Sequence, residues 1–129
     1  MKRQAIALIF LFTLSLFTIV EAANTPTSID LYWNAPATFT NGAALNPATD
    51  LTGYKIECGL TATGPYTAAV KEVSGGSTLT TTLTGLTPNT TYYCVGIAHG
   101  VYADSSNSNE VSRKTDILIP GVIQLRTTP

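Results

Sequence analysis

The amino-acid sequence predicts an all-β fold, and three observations support the prediction. Beyond residue 22 the chain is rich in threonine, serine, glycine, asparagine and tyrosine, a composition that favours short strands and turns over helices. Several short segments alternate apolar and polar residues, as strands with one buried face do. No segment beyond residue 22 repeats its apolar residues with a helical period. Strands joined by turns are therefore expected to form the folded domain.

The first 22 residues have the pattern of a signal peptide. Lys2 and Arg3 precede an apolar run over residues 5–20, and Ala22 supplies the small residue expected at a cleavage site. The alternative is an uncleaved membrane anchor, but the run is shorter than the ~20 residues that a span needs. We therefore expect a mature chain that begins at Ala23, has no membrane span and is secreted, extracellular or held at the cell surface.

Charge and side-chain chemistry argue against several classes of function. The formal net charge is −1 and no basic stripe is present, so nucleic-acid binding has no electrostatic support. His99 is the single histidine and is expected in an exposed loop. The sequence shows no nucleophile–base set, no carboxylate pair with a reason for proximity and no phosphate-binding glycine loop. It predicts a protein that is not an enzyme, with no catalytic residue, cofactor or metal site.

Six segments have the strand pattern, and two polar loops, over residues 38–52 and 99–106, lie between some of them. The strands are predicted at residues 28–34, 53–58, 66–73, 79–83, 90–98 and 107–115. The loop over 38–52 lacks the acidic cluster that a calcium site needs. The segment 66–73 is predicted at a sheet edge, where Lys71 and Glu72 would hinder pairing with another chain.

Alternation within the strands predicts which side chains form the core. Ile29, Leu31 and Trp33 share one face of the first strand, so Trp33 is expected to be buried and not exposed for ligand stacking. In the fourth strand, Leu79 and Leu83 are expected to point inward. The residues of the fifth strand that are expected to point outward, where they could support lateral contacts, are Tyr93, Val95 and Ile97.

Residues 85–98, GLTPNTTYYCVGIA, place a turn directly before a strand of β-branched and aromatic residues. The spacing from Leu86 to Tyr92 is that of a tyrosine corner, in which a tyrosine hydroxyl bonds to the backbone a few residues upstream. The pattern resembles the E–F corner of a fibronectin type III domain. Further motifs follow in the order of that family: Trp33 with Pro36, Gly53-Tyr54, and SNEV at residues 108–111.

The resemblance covers residues 28–115, and the loops look like those of bacterial, exported members of the family. It implies a fibronectin type III-like, immunoglobulin-like β-sandwich of two antiparallel sheets. It also implies that Trp33, Leu86 and Tyr92 belong to the core and the tyrosine corner. The chain then divides into a signal peptide at 1–22, a domain at 23–115 and a tail at 116–129.

Two cysteines in an exported chain suggest one disulfide. The resemblance places Cys58 and Cys94 at inward positions on strands C and F, which the family pairs side by side, where its members usually carry larger side chains. It therefore implies a disulfide across the two strands. The alternative is a redox-active pair, which is disfavoured because inward cysteines without a basic neighbour are not activated.

The resemblance also shows a missing strand and a surplus one. A family member has a strand A before the strand that carries Trp33, but only residues 23–27 remain there after signal cleavage. The tail at 116–129 has a strand pattern instead, and placed ahead of residue 23 it resembles the passage from strand A to strand B. Its apolar residues are Ile117, Leu118, Ile119, Val122, Ile123 and Leu125.

The direction of the strands suggests where the tail pairs. Strand G of this topology ends at the pole opposite the start of strand A, so a tail that folded back on its own domain would run parallel to strand B. In tandem arrays, strand G of one domain leads directly into strand A of the next. We therefore expect the tail to fill the strand A position of a neighbouring subunit, as in donor-strand complementation, and to form a homopolymer. Packing of the tail on its own domain is the open alternative.

Two functions follow from these alternatives. The first is a structural subunit of an extracellular fibre or surface assembly, joined head to tail. The second is a monomeric secreted binding or adhesion module that recognises a glycan or another surface protein through the loops at 38–52 and 99–106.

Overall fold

The computed structural model describes residues 26–119. The predicted signal peptide and the tail residues Val122, Ile123 and Leu125 lie outside this range. The elements, in chain order, are β1 (Ile29–Tyr32), α1 (Pro47–Asp50), β2 (Leu51–Gly59), β3 (Ala69–Ser74), β4 (Thr80–Leu83), β5 (Thr91–Gly100) and β6 (Val111–Lys114).

The strands form two antiparallel sheets, which confirms the predicted all-β sandwich. One sheet pairs β1 with β4, and the other has the order β3-β2-β5-β6. Every strand pair in both sheets is antiparallel. β3 lies at an edge of the four-stranded sheet, as the charged pair Lys71 and Glu72 predicts.

The core lies between the sheets and contains the residues that alternation predicts, with the exception of Leu79. Ile29 and Leu31 on β1, and Trp33 directly after it, are buried in one cluster with Tyr54 and Ile56 of β2. The rings of Trp33 and Tyr54 meet edge to face, with centroids 5.1 Å apart. The Tyr54 hydroxyl donates a hydrogen bond to the Gly76 carbonyl at 2.7 Å, so the polar end of this buried ring has a partner.

The long loop before β2 contains one helical turn, α1, where a loop without regular structure was expected. Asn46 caps α1, because its side chain accepts a hydrogen bond from Ala48 N at 3.1 Å, and Pro47 occupies the first turn. Leu45 and Leu51 flank the turn and are buried in the core. The turn is too short to give a helical period, but Asn-Pro is the cap signal that could have revealed it.

Two side chains differ from the prediction in their exposure. Leu79 was expected inward but is 38% exposed, because β4 begins at Thr80 and leaves Leu79 at the rim of the sheet. Val95 points outward on β5, yet it is only 2% exposed. Glu57 lies opposite Val95 on β2, and Tyr93 and Ile97 flank it on the same face. Val95 therefore offers little surface for a lateral contact.

Candidate assembly site

The turn before β5, residues 85–89, has the tyrosine-corner geometry. The Tyr92 hydroxyl accepts a hydrogen bond from Thr87 N at 3.0 Å, and Leu86 and Tyr92 are both buried. Gly85 and Asn89 have φ values of 72° and 53°, a region that glycine and asparagine tolerate best. We call the end of the sandwich that carries this turn the corner end.

The start of the tail is anchored to the corner end. Thr115 is buried, and its hydroxyl donates to the Thr87 carbonyl at 2.6 Å and accepts from Thr90 N at 3.0 Å. Asn89 N donates to the Asp116 carbonyl at 2.9 Å. The path of the chain is therefore fixed as far as Asp116.

Beyond Asp116 the tail exposes three consecutive apolar side chains. Ile117, Leu118 and Ile119 are 57%, 65% and 82% exposed. An open pocket of about 470 Å³ is lined by Lys114, Thr115, Asp116, Ile117 and Ile119. A run of exposed apolar residues is unfavourable in water unless another surface covers it.

The same end of the sandwich holds the start of β1. Leu86 N donates to the Thr27 carbonyl at 3.0 Å, which places residue 27 beside the corner. β1 pairs with β4 along one edge, and no strand within residues 26–119 pairs along its other edge. An open strand edge with unpaired N–H and C=O groups can accept another strand.

The opposite end of the sandwich, which we call the turn end, carries the connection from β5 to β6. Residues 100–104 form a tight turn in which Gly100 N donates to the Ala103 carbonyl at 3.1 Å. Val101 N donates to the Asp50 carbonyl at 3.0 Å and ties the turn to the loop that precedes β2. The side chains of Val101 and Tyr102 project from it and are 52% and 84% exposed.

The predicted disulfide is present and lies within one sheet. Cys58 on β2 and Cys94 on β5 are directly opposite in register, with Cα atoms 4.1 Å apart, and both are buried. The bond cross-links the two central strands of the four-stranded sheet. Its burial makes it a structural feature of the sheet.

His99 is not the exposed loop residue that the sequence suggested. It belongs to β5, and both of its ring nitrogens face carboxylates: Nδ1 lies 2.8 Å from Asp104 Oδ1 and Nε2 lies 3.1 Å from Glu72 Oε2. Partial burial lowers the pKa of His99, but the hydrogen bonds to Asp104 and Glu72 outweigh it, so the pKa is raised overall. This cluster is not visible in the sequence, because strand register, not sequence proximity, brings Glu72 to the histidine.

The part of the chain that the structure describes has neither a metal-binding cluster nor a helix suited to crossing a membrane. No group of three or more histidine, cysteine, aspartate or glutamate residues within 26–119 is arranged to hold a metal ion. In the same range no helix has the length and apolar character needed to cross a membrane.

Structural comparison decides the fold. A comparison with protein-family models gives no match, and a comparison with curated proteins gives none. A solved fibronectin type III domain derived from the human KIAA0970 protein matches at a TM-score of 0.58 and 20% identity, over 85% of this chain and 82% of that domain. The fold is that of a fibronectin type III domain.

Two further structures agree with this fold. The sixth fibronectin type III domain of human fibronectin type III domain containing protein 3 matches at a TM-score of 0.52 and 22% identity, over 88% of this chain and 92% of that domain. A computationally redesigned β-sandwich protein matches at a TM-score of 0.55 and 22% identity, over 80% of this chain and 95% of that one. In the nomenclature of the fibronectin type III fold, β1, β2, β4, β5 and β6 take the places of strands B, C, E, F and G. No strand within residues 26–119 takes the place of strand A.

These solved structures are 20–22% identical to the chain and bear on its fold alone. The absence of enzymatic activity stays a prediction, as does the division of the chain at residues 22 and 115. The disulfide is compatible with an extracellular location.

Proposed function

We propose that the protein is a structural subunit of an extracellular fibre or surface assembly. The tail of one subunit, residues 116–129, adds a strand to the open edge of β1 in the next subunit. The observation that carries the proposal is the exposure of Ile117, Leu118 and Ile119 directly after the chain is fixed at Asp116. Covering these side chains removes apolar surface from water and gives the open edge a partner.

Strand direction favours exchange between subunits. The tail leaves from the corner end, and β1 also begins there, so a tail folding straight back on its own subunit would run parallel to β1. Every described strand pair is antiparallel. An antiparallel approach within one subunit would first require the tail to cross the sandwich, and β5 alone, with ten residues, spans about 33 Å. A tail that arrives from another subunit at the turn end runs antiparallel to β1 directly.

The interaction would follow the rules of β-augmentation. Main-chain hydrogen bonds between the tail and β1 would supply much of the affinity, and alternate tail side chains would enter the space between the sheets. The donating and accepting surfaces are different parts of the chain, so the contact is heterologous. Repetition of such a contact gives an open filament unless the rotation between subunits closes a ring.

The competing arrangement, in which the tail packs on its own subunit, is tested by size in solution. The mature protein is measured by sedimentation velocity over a wide range of concentrations, next to a variant that lacks residues 116–129. We expect the full chain to assemble and the deletion variant to remain monomeric. A synthetic peptide of residues 116–129 should bind to the deletion variant and stabilise it, whereas a peptide of the same composition in scrambled order should not. A full-length chain that stays monomeric at high concentration, with a tail that resists protease, would rule out the exchange.

The turn end favours a second candidate, a monomeric binding module. Tyr102 is the most exposed large apolar side chain among the described residues, and tyrosine combines an apolar ring with a hydroxyl that suits protein and glycan contacts. Under this function the full chain stays monomeric and binds a glycan or protein through the turn. The sedimentation experiment therefore separates the two functions before any ligand is identified.

A further inference from the structure

We infer that the turn end of each subunit seats against the corner end of its neighbour, with Val101 and Tyr102 as the apolar contact. This end-to-end surface is separate from the donated strand but rests on the proposed function. The partner is a second copy of the chain.

The distribution of exposed apolar side chains supports the inference. The large apolar residues within 26–119 that are exposed lie at or near the two ends of the sandwich. The turn end carries Leu79, Val101 and Tyr102, and the corner end carries Leu60, Ile117, Leu118 and Ile119. Val70, on the outward face at the start of β3, lies near the corner turn and lines a pocket with Gly85 and Leu86. An assembly that stacks end to end covers the ends, where these side chains are concentrated.

Leu60 belongs to the corner end because of strand register. It follows β2, whose last residue, Gly59, lies opposite Tyr93 at the start of β5. The loop that Leu60 begins is held in place by Glu110, whose carboxylate accepts hydrogen bonds from Thr63 N at 2.7 Å and from the Tyr66 hydroxyl at 2.6 Å. Leu60 is 58% exposed on this fixed loop.

The turn end is fixed in the same way. Asp104 pairs with His99 on β5, and Ser105 N donates to the Ala98 carbonyl at 2.9 Å. With the hydrogen bonds of Gly100 and Val101, these contacts hold the turn on both sides of Tyr102. A preorganised surface loses little conformational entropy when it binds, which favours association.

The reach of the tail brings the two ends together. The chain is fixed at Asp116, and each further residue extends it by at most about 3.5 Å. A strand that begins to pair at Ile117, at the turn end of the next subunit, therefore leaves a gap of only a few ångströms between the two ends. Strand donation from this position would place the corner end of one subunit against the turn end of the other.

The test compares two variants of the full mature chain. One is Val101→Ser with Tyr102→Ser, and the matched control is Ile97→Thr, whose side chain is partly exposed on the outward face in the middle of β5, opposite Lys55. By sedimentation velocity, we expect the double variant to need about tenfold more protein for half-assembly. The control should match the unmodified chain. Leu60→Ser is a second variant, at the opposite end, that should also weaken assembly.

A parallel measurement separates this contact from strand donation. Binding of the 116–129 peptide to subunits that lack their own tail is followed by fluorescence anisotropy, with and without the Val101→Ser and Tyr102→Ser changes. The peptide has no corner end, so its affinity should be the same for both. Weaker assembly with unchanged peptide affinity supports the inference. Unchanged assembly in both the double variant and Leu60→Ser, with the peptide still bound, overturns the inference and leaves strand donation intact.

Two other outcomes also count against the inference. A peptide that does not bind to the unmodified deletion variant contradicts the proposed function and removes the basis for the end-to-end contact. A double variant that stays assembled but loses binding of a glycan or an unrelated protein would show that the turn serves a different partner.

Discussion

The two sheets of this protein differ in the residues at their edges. The four-stranded sheet is cross-linked at its centre by Cys58–Cys94, and its edge strand β3 carries Lys71 and Glu72, which hinder pairing with another chain. The sheet of β1 and β4 has two described strands, and β1 carries one charged residue, Asp30, whose carboxylate accepts a hydrogen bond from Thr82 of β4. This difference fits the proposed function, in which the open edge of β1 accepts a strand from another subunit.

The largest effect is expected from breaking the cross-link of the four-stranded sheet. Cys58→Ala with Cys94→Ala removes a bond that closes a sequence separation of 36 residues. The chain-entropy relation then gives a loss of about 3.8 kcal/mol in the free energy of unfolding. Urea unfolding of the mature chain, at concentrations too low for assembly, measures it.

Reduced wild-type protein is the matched control, because it lacks the bond but keeps both sulfur atoms. It should lose a similar amount of stability. A loss below about 1 kcal/mol in both samples would show that the sheet does not depend on its cross-link. Assembly at equal fractions of folded protein should be unchanged, since both cysteines are buried and neither exposes a side chain for contact with another subunit.

A smaller effect is expected from changing the tail one residue at a time. In a strand, successive side chains point to opposite faces, so a docked tail places Ile117 and Ile119 on one side and Leu118 on the other. When each is replaced in turn by lysine, the loss of assembly should therefore alternate between large and small along the three positions. We expect a loss of about 10- to 100-fold where the lysine points between the sheets, and much less where it points to solvent.

The alternation itself is the control in this series, because all three variants add the same charge at neighbouring positions. Sedimentation velocity of the three variants measures it. An equal loss at all three positions would indicate non-specific association through an apolar segment. No loss at any of them would place the docked strand elsewhere in the tail or remove it from the assembly.

The sequence predicted those features that depend on local pattern. Ile29, Leu31 and Trp33 alternate with polar residues, so their common face is visible without a structure. The disulfide followed from two cysteines in a chain expected to be exported and from the family resemblance. The first prediction rests on the two-residue period of strands, which fixes the inward face independently of the exact strand ends, and the second rests on the resemblance.

The features that were missed depend on register and on the ends of elements. The contact between His99 and Glu72 joins residues on β5 and β3, which only the order of strands brings together. Leu79 has the correct parity for the core but lies just outside β4. The exposure of Val101 and Tyr102, on which the end-to-end contact depends, comes from a turn whose shape the sequence alone did not reveal.

The smallest effect on stability is expected at the edge of the four-stranded sheet, where His99 joins β3 to the turn end. Its pKa is raised, since the carboxylates of Asp104 and Glu72 outweigh the effect of partial burial, and protonation lets both ring nitrogens donate. The stabilisation is therefore fully present below the unfolded pKa of about 6.5 and is lost as the pH rises through the higher folded value. Both carboxylates are more than half exposed, so solvent screening limits it to on the order of 0.5 kcal/mol.

The measurement compares the free energy of unfolding in urea between pH 5.5 and pH 8.5 for the wild type and for His99→Asn. The charged groups facing His99 are Glu72 on β3 and Asp104 after β5. Lys55 on β2 lies opposite Glu72 in register and forms an ion pair with Glu57. Glu72→Gln, which removes one carboxylate and leaves the histidine, should reduce the pH dependence without abolishing it. We expect the wild type to lose stability relative to His99→Asn as the pH rises. Parallel pH profiles for the two proteins would show that the histidine does not link the edge of the sheet to the turn.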